Sequence, residues 1–189
     1  VADGAGGLAL VDVTDPSSPD PMGSPMPADA GDVFTDGNFS YVAYTAYGLR
    51  VFNVWADGLN IRGTCPTPGT AKGVFVAGTR AYVADGDAGL RVIDVSDPWT
   101  PVPVTDRDTP GVACDVFVDG EIAYVADGTA GLQVFSLRSP VAPTLLGTYN
   151  TPGESQAVSV VGETASVSDH DFGLRVIDVA DPSAPVEIG

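Results

Sequence analysis

The dipeptide Gly-Leu recurs at a near-constant interval in this chain of 189 residues, at positions 7, 48, 89, 131 and 173. Successive copies are 41, 41, 42 and 42 residues apart, and each opens a short β-branched segment. Three copies align closely: Val83 to Val95 (VADGDAGLRVIDV), Val125 to Leu137 (VADGTAGLQVFSL) and Val167 to Val179 (VSDHDFGLRVIDV). A period near 42 built from strand-like runs marks a β-propeller, in which each repeat is one blade that buries its faces only against its neighbours. The repeat therefore predicts a single domain over residues 1–189. Its units lie at approximately 1–29, 30–70, 71–111, 112–153 and 154–189.

The third unit shows the blade most clearly. Gly73 to Val76, Arg80 to Ala84, Gly89 to Val95 and Pro101 to Thr105 are short runs, separated by Ala77-Gly78, Asp85-Gly86 and Asp97-Pro98. Runs of this kind between Gly, Asp and Pro turns predict an antiparallel four-stranded meander. Alternation places Leu90 and Val92 on one face and Ile93 and Val95 on the other. Both faces are apolar, as a sheet sandwiched between neighbours requires. No segment has helical periodicity. The expected fold is all-β, a five-bladed propeller.

Other motifs keep the same period. The second strand reads Tyr41-Val42-Ala43, Tyr82-Val83-Ala84 and Tyr124-Val125-Ala126, weakening to Ser166-Val167-Ser168. A Pro motif closes the third strand at Asp15-Pro16, Asp97-Pro98, Ser139-Pro140 and Asp181-Pro182, and blade 2 lacks it. Leu-Arg-Val-Ile-Asp-Val, at Leu90 to Val95 and Leu174 to Val179, resembles the LVIVD repeat. Repeats of that family occur in propellers of bacterial and archaeal surface or secreted proteins. The resemblance covers essentially the whole chain and implies an extracellular or cell-surface setting. It brings no catalytic residues with it.

The count of strands is uneven: five third strands but four first strands. The first blade is expected to lack its innermost strand, and an open blade offers unpaired edges to another chain. Three readings stand. Upstream residues complete the blade, Val1 lying inside a motif that elsewhere reads Ala-Tyr-Val-Ala-Asp; or a neighbouring molecule supplies the strand by β-augmentation; or the ring tolerates the gap.

Charge narrows the partners. The chain has 25 acidic against 8 basic residues, a formal net charge of -17, and Lys72 is its only lysine. Such a surface argues against nucleic acid and anionic membranes. No apolar run approaches the ~20 residues of a membrane span. The expected partners are other protein chains, a second copy of itself, or surface glycans.

Several residues are candidates for chemistry. Asp3, Asp85, Asp127 and Asp169 occupy equivalent turns, and two of them belong to the pairs Asp85-Gly86-Asp87 and Asp169-His170-Asp171. Asp85, Asp87, Asp169 and Asp171 are thus candidate Ca²⁺ ligands, since this ion takes 6–8 oxygens. The simpler reading is local Asx turns, and no cofactor is required. His170, the only histidine, reads as a solvated turn residue. Tyr44, Tyr47, Trp55 and Phe172 break the repeat and are candidate binding aromatics, with packing on neighbouring loops as the alternative. Asn38-Phe39-Ser40 is a glycosylation sequon at a hairpin tip. Cys65 and Cys114 are candidates for a disulfide, although the repeat geometry does not obviously bring them together. Asp32, Asp115 and Glu154 fall where a propeller glycosidase would place channel carboxylates. The repeat itself explains them more simply, and the chain is read as non-enzymatic.

The functional expectation is an extracellular structural or adhesive propeller acting as a protein-interaction scaffold. The alternatives are a subunit of a self-assembling filament or sheath joined by strand complementation, and a carbohydrate-binding or carbohydrate-active propeller.

Overall fold

The computed structural model describes residues 1–21, 29–55 and 58–189, without the side chains of residues 54–58. Blade 1 is a two-stranded sheet, β1 (Val11–Asp12) and β2 (Asp20–Pro21). Blade 2 comprises β3 (Ala30–Asp36), β4 (Phe39–Tyr44), β5 (Gly48–Trp55) and β6 (Gly58–Cys65). Blade 3 comprises β7 (Gly73–Ala77), β8 (Arg80–Ala84), β9 (Leu90–Asp94) and β10 (Val102–Arg107). Blade 4 runs through β11 (Asp115–Asp119), β12 (Ile122–Ala126), β13 (Leu132–Ser136) and β14 (Thr144–Tyr149). Blade 5 runs through β15 (Ser155–Val161), β16 (Thr164–Asp169), β17 (Gly173–Asp178) and β18 (Val186–Glu187). Blades 2 to 5 are antiparallel meanders in chain order. Among the described residues the only helical element is a single 3₁₀ turn, His170–Phe172, and no helix is long and apolar enough to cross a membrane.

The Gly-Leu step follows from the backbone. Gly89 and Gly131 have φ of 72° and 73°, a left-handed conformation that L side chains avoid. A Cβ on Gly131 would also overlap the Tyr149 carbonyl oxygen and lie 2.6 Å from the Thr151 nitrogen. Glycine lets the third strand turn in directly beside the end of the fourth. Leucine then enters the core: Leu49, Leu90 and Leu132 are fully buried.

Alternation sorts the faces as expected. Tyr82, Ala84, Leu90 and Val92 of blade 3 pack on Val116, Val118, Ala123 and Val125 of blade 4. Its other face, with Val83, Ile93 and Val95, packs on Tyr41, Ala43, Leu49 and Val51 of blade 2. Blades 4 and 5 meet in the same way, and Leu8 of blade 1 joins Val42, Tyr44 and Phe52 of blade 2. The innermost strands β3, β7, β11 and β15 lie side by side in that order. Phe34, Phe75 and Phe117 form a row across three of them, with ring centroids 4.8 and 5.0 Å apart.

The row stops at blade 5. No comparable contact joins β15 to β3 among the described residues. Leu174, the equivalent of Leu90 and Leu132, is 62% exposed where they are at 0%. Ser159 stands in the place of Phe75 and Phe117, Ser166 in that of Tyr82 and Tyr124, and Ser168 in that of Ala84 and Ala126. At the opposite end of the arc Val1 and Val13 are 66% and 63% exposed.

Candidate functional site

The equivalent turn aspartates do not make local Asx turns. Asp85 is fully buried and accepts hydrogen bonds from Thr67 Oγ1 at 2.5 Å and from the Gly69 nitrogen at 3.0 Å. Asp127 does the same with Thr109 Oγ1 at 2.6 Å and Gly111 nitrogen at 2.9 Å. Each carboxylate thus clamps the Thr-Pro-Gly segment that leads into the first strand of its own blade. The adjoining glycine bridges to the next blade, Gly86 to Ala113 and Gly128 to Ser155. In blade 5 the Thr151 hydroxyl faces Ser155 Oγ instead, and Asp169 holds only the Gly153 nitrogen, leaving its Oδ1 buried and unpaired.

This arrangement bears directly on the candidate calcium ligands. Asp85 and Asp169 are buried in these clamps, whereas Asp87 and Asp171 are exposed at the surface. No group of three or more His, Cys, Asp or Glu placed to hold a metal ion occurs among the described residues. His170 is exposed, with Nδ1 3.0 Å from Asp171 Oδ1.

The innermost strands carry a second set of ties. Asp32 accepts from its neighbour Val33 and, at 2.9 Å, from the Val74 nitrogen of the next blade. Asp115 likewise accepts from Val116 at 2.8 Å and from Val158 of the next blade at 2.9 Å. Gly73 leaves room for this: a Cβ there would lie 2.7 Å from the Asp115 Cα. Both carboxylates considered for channel chemistry are therefore inter-blade fasteners. Glu154 lies with Lys72, Cys114 and Gln156 around a pocket of about 150 Å³. The Lys72 ammonium stands 3.8 Å from Cys114 Sγ.

The cysteines considered for a disulfide are both free and buried. Burial raises both thiols above the ordinary range, with Arg91 opposing the rise at Cys65 and Lys72 at Cys114. Each belongs to different surroundings, Cys65 in the core between blades 2 and 3 and Cys114 beside Lys72.

Of the aromatic candidates, Tyr44 is buried and Tyr47 is exposed but covered by Arg50, whose guanidinium lies 3.8 Å from the ring centroid. That cation–π contact occupies one face of the ring. The side chain of Trp55 lies outside the described residues. Phe172 is exposed in blade 5 and sits over Gly153. Trp99 meets Phe39 edge-on at 5.5 Å, beside the sequon whose Asn38 is exposed in a hairpin turn.

Burial sets the pH response. Desolvation raises the carboxyl pKa of Asp85, Asp115 and Asp127, opposed at Asp85 and Asp127 by the Thr and Gly bonds and reinforced at Asp115 by the Asp32 charge. The native state holds these protons more tightly than the unfolded chain, so their contribution to stability grows as pH falls through the folded-state values. Asp12, Asp15, Asp94, Asp97 and Asp181 are shifted down by hydrogen bonds from Thr14, Ser17, Ser96, Thr100 and Ser183. Their contribution is present above about pH 4 and is lost below it. The melting temperature is expected to rise as pH falls from about 7 toward the ordinary carboxylate range near about 4, and to fall below that range. Asp115→Asn should show a smaller rise. A melting temperature that falls steadily between pH 7 and 5 would contradict this balance.

No curated protein matches the chain. Among solved structures, a functionally unknown protein from Desulfotomaculum acetoxidans DSM 771 is 15% identical, with a TM-score of 0.78 over 99% of this chain and 63% of that one. The computationally designed Ika8 protein is 8% identical, with a TM-score of 0.69 over 85% of this chain and 49% of its own. The designed Ika4 protein is also 8% identical, with a TM-score of 0.63 over 79% of this chain and 90% of its own. At these identities the likeness is one of fold. The chain spans about half the length of Ika8 and 63% of the Desulfotomaculum protein. The LVIVD repeat matches residues 1–26, 27–53, 68–109, 110–151 and 152–189, one match to each blade. The chain belongs to the LVIVD-repeat family.

Proposed function

We propose that this chain is a non-enzymatic extracellular scaffold that binds other protein chains through the unpartnered end of its blade arc. One observation carries the reading. Leu174 is 62% exposed at a position where its repeat equivalents Leu90 and Leu132 are at 0%. Phe172, two residues before Leu174, is exposed as well, and Val1 and Val13 are exposed at the other end. Exposed apolar surface of this kind on a rigid sheet marks an interaction site. Another blade of the same repeat type fits it, whether from further residues of the same protein or from a second molecule.

The acidic surface supports an extracellular setting by keeping arrays of such scaffolds soluble and apart from nucleic acid. The non-enzymatic reading draws on the use of Asp32 and Asp115 as backbone fasteners. Self-assembly into a filament is the same interaction repeated head to tail.

Sedimentation of the purified chain tests the reading. Association should increase with concentration, and Leu174→Asp should weaken it at least about tenfold, a loss of about 1.4 kcal/mol. Folding should be nearly unaffected, because exposed substitutions usually change stability by less than about 0.5 kcal/mol. A chain that stays monomeric at every concentration, or associates equally well as the variant, would overturn the proposal.

A further inference from the structure

The residue after Gly-Leu is arginine in blades 2, 3 and 5, at Arg50, Arg91 and Arg175. In blades 3 and 5 it pairs with an acid on the fourth strand, Arg91 with Asp106 at 3.6 Å and Arg175 with Glu187. Blade 4 departs from this. Gln133 takes the arginine's place, and the residue across from it is Thr148. A shorter, neutral side chain without an acidic partner leaves a cavity of about 350 Å³ in the groove between blades 3 and 4. That is within the range of small-molecule sites.

Two further observations point to a ligand. Gln133 is only 2% exposed; its Nε2 donates to the Ala130 carbonyl at 2.8 Å, while its Oε1 is buried without a partner. Arg107, on the opposite wall, donates through Nε to the Pro143 carbonyl at 2.6 Å and forms no ion pair among the described residues. In a chain of net charge -17 an arginine without a carboxylate is notable, and its terminal nitrogens are suited to bidentate capture of one. The exposed Asp108 supplies a negative charge on the same rim, and Phe135, Pro143 and Leu145 supply apolar wall.

We propose that this groove binds a free α-amino acid with an apolar side chain. Arg107 receives the α-carboxylate, Asp108 and the Gln133 amide receive the ammonium, and Pro143 and Leu145 take the side chain. A phosphate would meet one cation and one carboxylate, a poor balance. A sugar would find no open aromatic face, because the Phe135 ring is almost wholly buried. A purely apolar molecule would leave the guanidinium unused.

Calorimetric titration of the purified chain with L-leucine, leucinamide and N-acetyl-L-leucine tests the assignment. L-leucine should bind, and loss of either the carboxylate or the ammonium should weaken binding at least tenfold. Arg107→Gln should abolish it. Gln133→Arg, which restores the residue of the other blades and fills the cavity, should also abolish it while preserving the cooperative melting transition. Equal binding of leucinamide would overturn the role of Arg107, and equal binding of N-acetyl-L-leucine would overturn the amino-acid assignment. Absence of leucine binding, or its survival in Gln133→Arg, would overturn the site.

Discussion

Gly131→Ala is expected to lower the melting temperature by about 8–16 °C. Two costs add at this position. A side chain at φ of 73° costs roughly 1–2 kcal/mol, and the new methyl overlaps the Tyr149 carbonyl and crowds the Thr151 nitrogen. Overpacking against backbone that cannot yield adds typically 1–3 kcal/mol, for about 4 kcal/mol in all. At about 2–4 °C per kcal/mol for a chain of this size, the shift follows. Gly120→Ala is the control. Gly120 has φ of 56° but open space around its Cβ position, so only the conformational cost applies. Equal shifts in a thermal melt of the two variants would show that contact with the fourth strand is irrelevant to the Gly-Leu step.

Asp127→Ala should cost about 3 kcal/mol, or about 6–12 °C in the same assay. The carboxylate is costly to bury, which offsets part of what its bonds contribute. Its removal nevertheless leaves the buried Thr109 hydroxyl and the Gly111 nitrogen without their partner, at about 1–3 kcal/mol each. Asp169→Ala should cost clearly less. There the Thr151 hydroxyl already faces Ser155, and only the Gly153 nitrogen loses a bond. The order Asp127 above Asp169 is the test. A reversed or flat order would mean that the carboxylates act through general charge rather than through the clamp.

The fold was legible in the chain because its signals are periodic and local. Alternation of Leu90 and Val92 against Ile93 and Val95 assigns both faces, and the periodic Gly-Leu marks where the third strand begins in blades 2 to 5. The uneven count of first and third strands anticipated a reduced first blade, which is the two-stranded sheet β1–β2. The roles of the turn aspartates were harder to read, because their partners are distant in sequence. Asp85 reaches back 18 residues to Thr67, and Asp32 reaches forward 42 to Val74. A signal did exist: Thr67-Pro68-Gly69, Thr109-Pro110-Gly111 and Thr151-Pro152-Gly153 recur at the repeat period. Their constant offset from Asp85, Asp127 and Asp169 marks the clamp. The cavity beside Gln133 depends on how blades 3 and 4 face one another, which a single repeat does not encode, whereas the contact of Arg50 with Tyr47 is local to one hairpin of blade 2.

Hydrogen exchange measured strand by strand, in dilute and in concentrated protein, tests most directly whether the arc is sealed between its inner blades and open at blade 5. Amides of β8, β9, β12 and β13 should be strongly protected at both concentrations, because both faces of their sheets are covered. Amides of β17, which carries Leu174, should exchange faster in dilute protein and become protected as concentration rises. Protection of β17 equal to that of β13 in dilute protein, or unchanged by concentration, would contradict an open end that recruits a further blade.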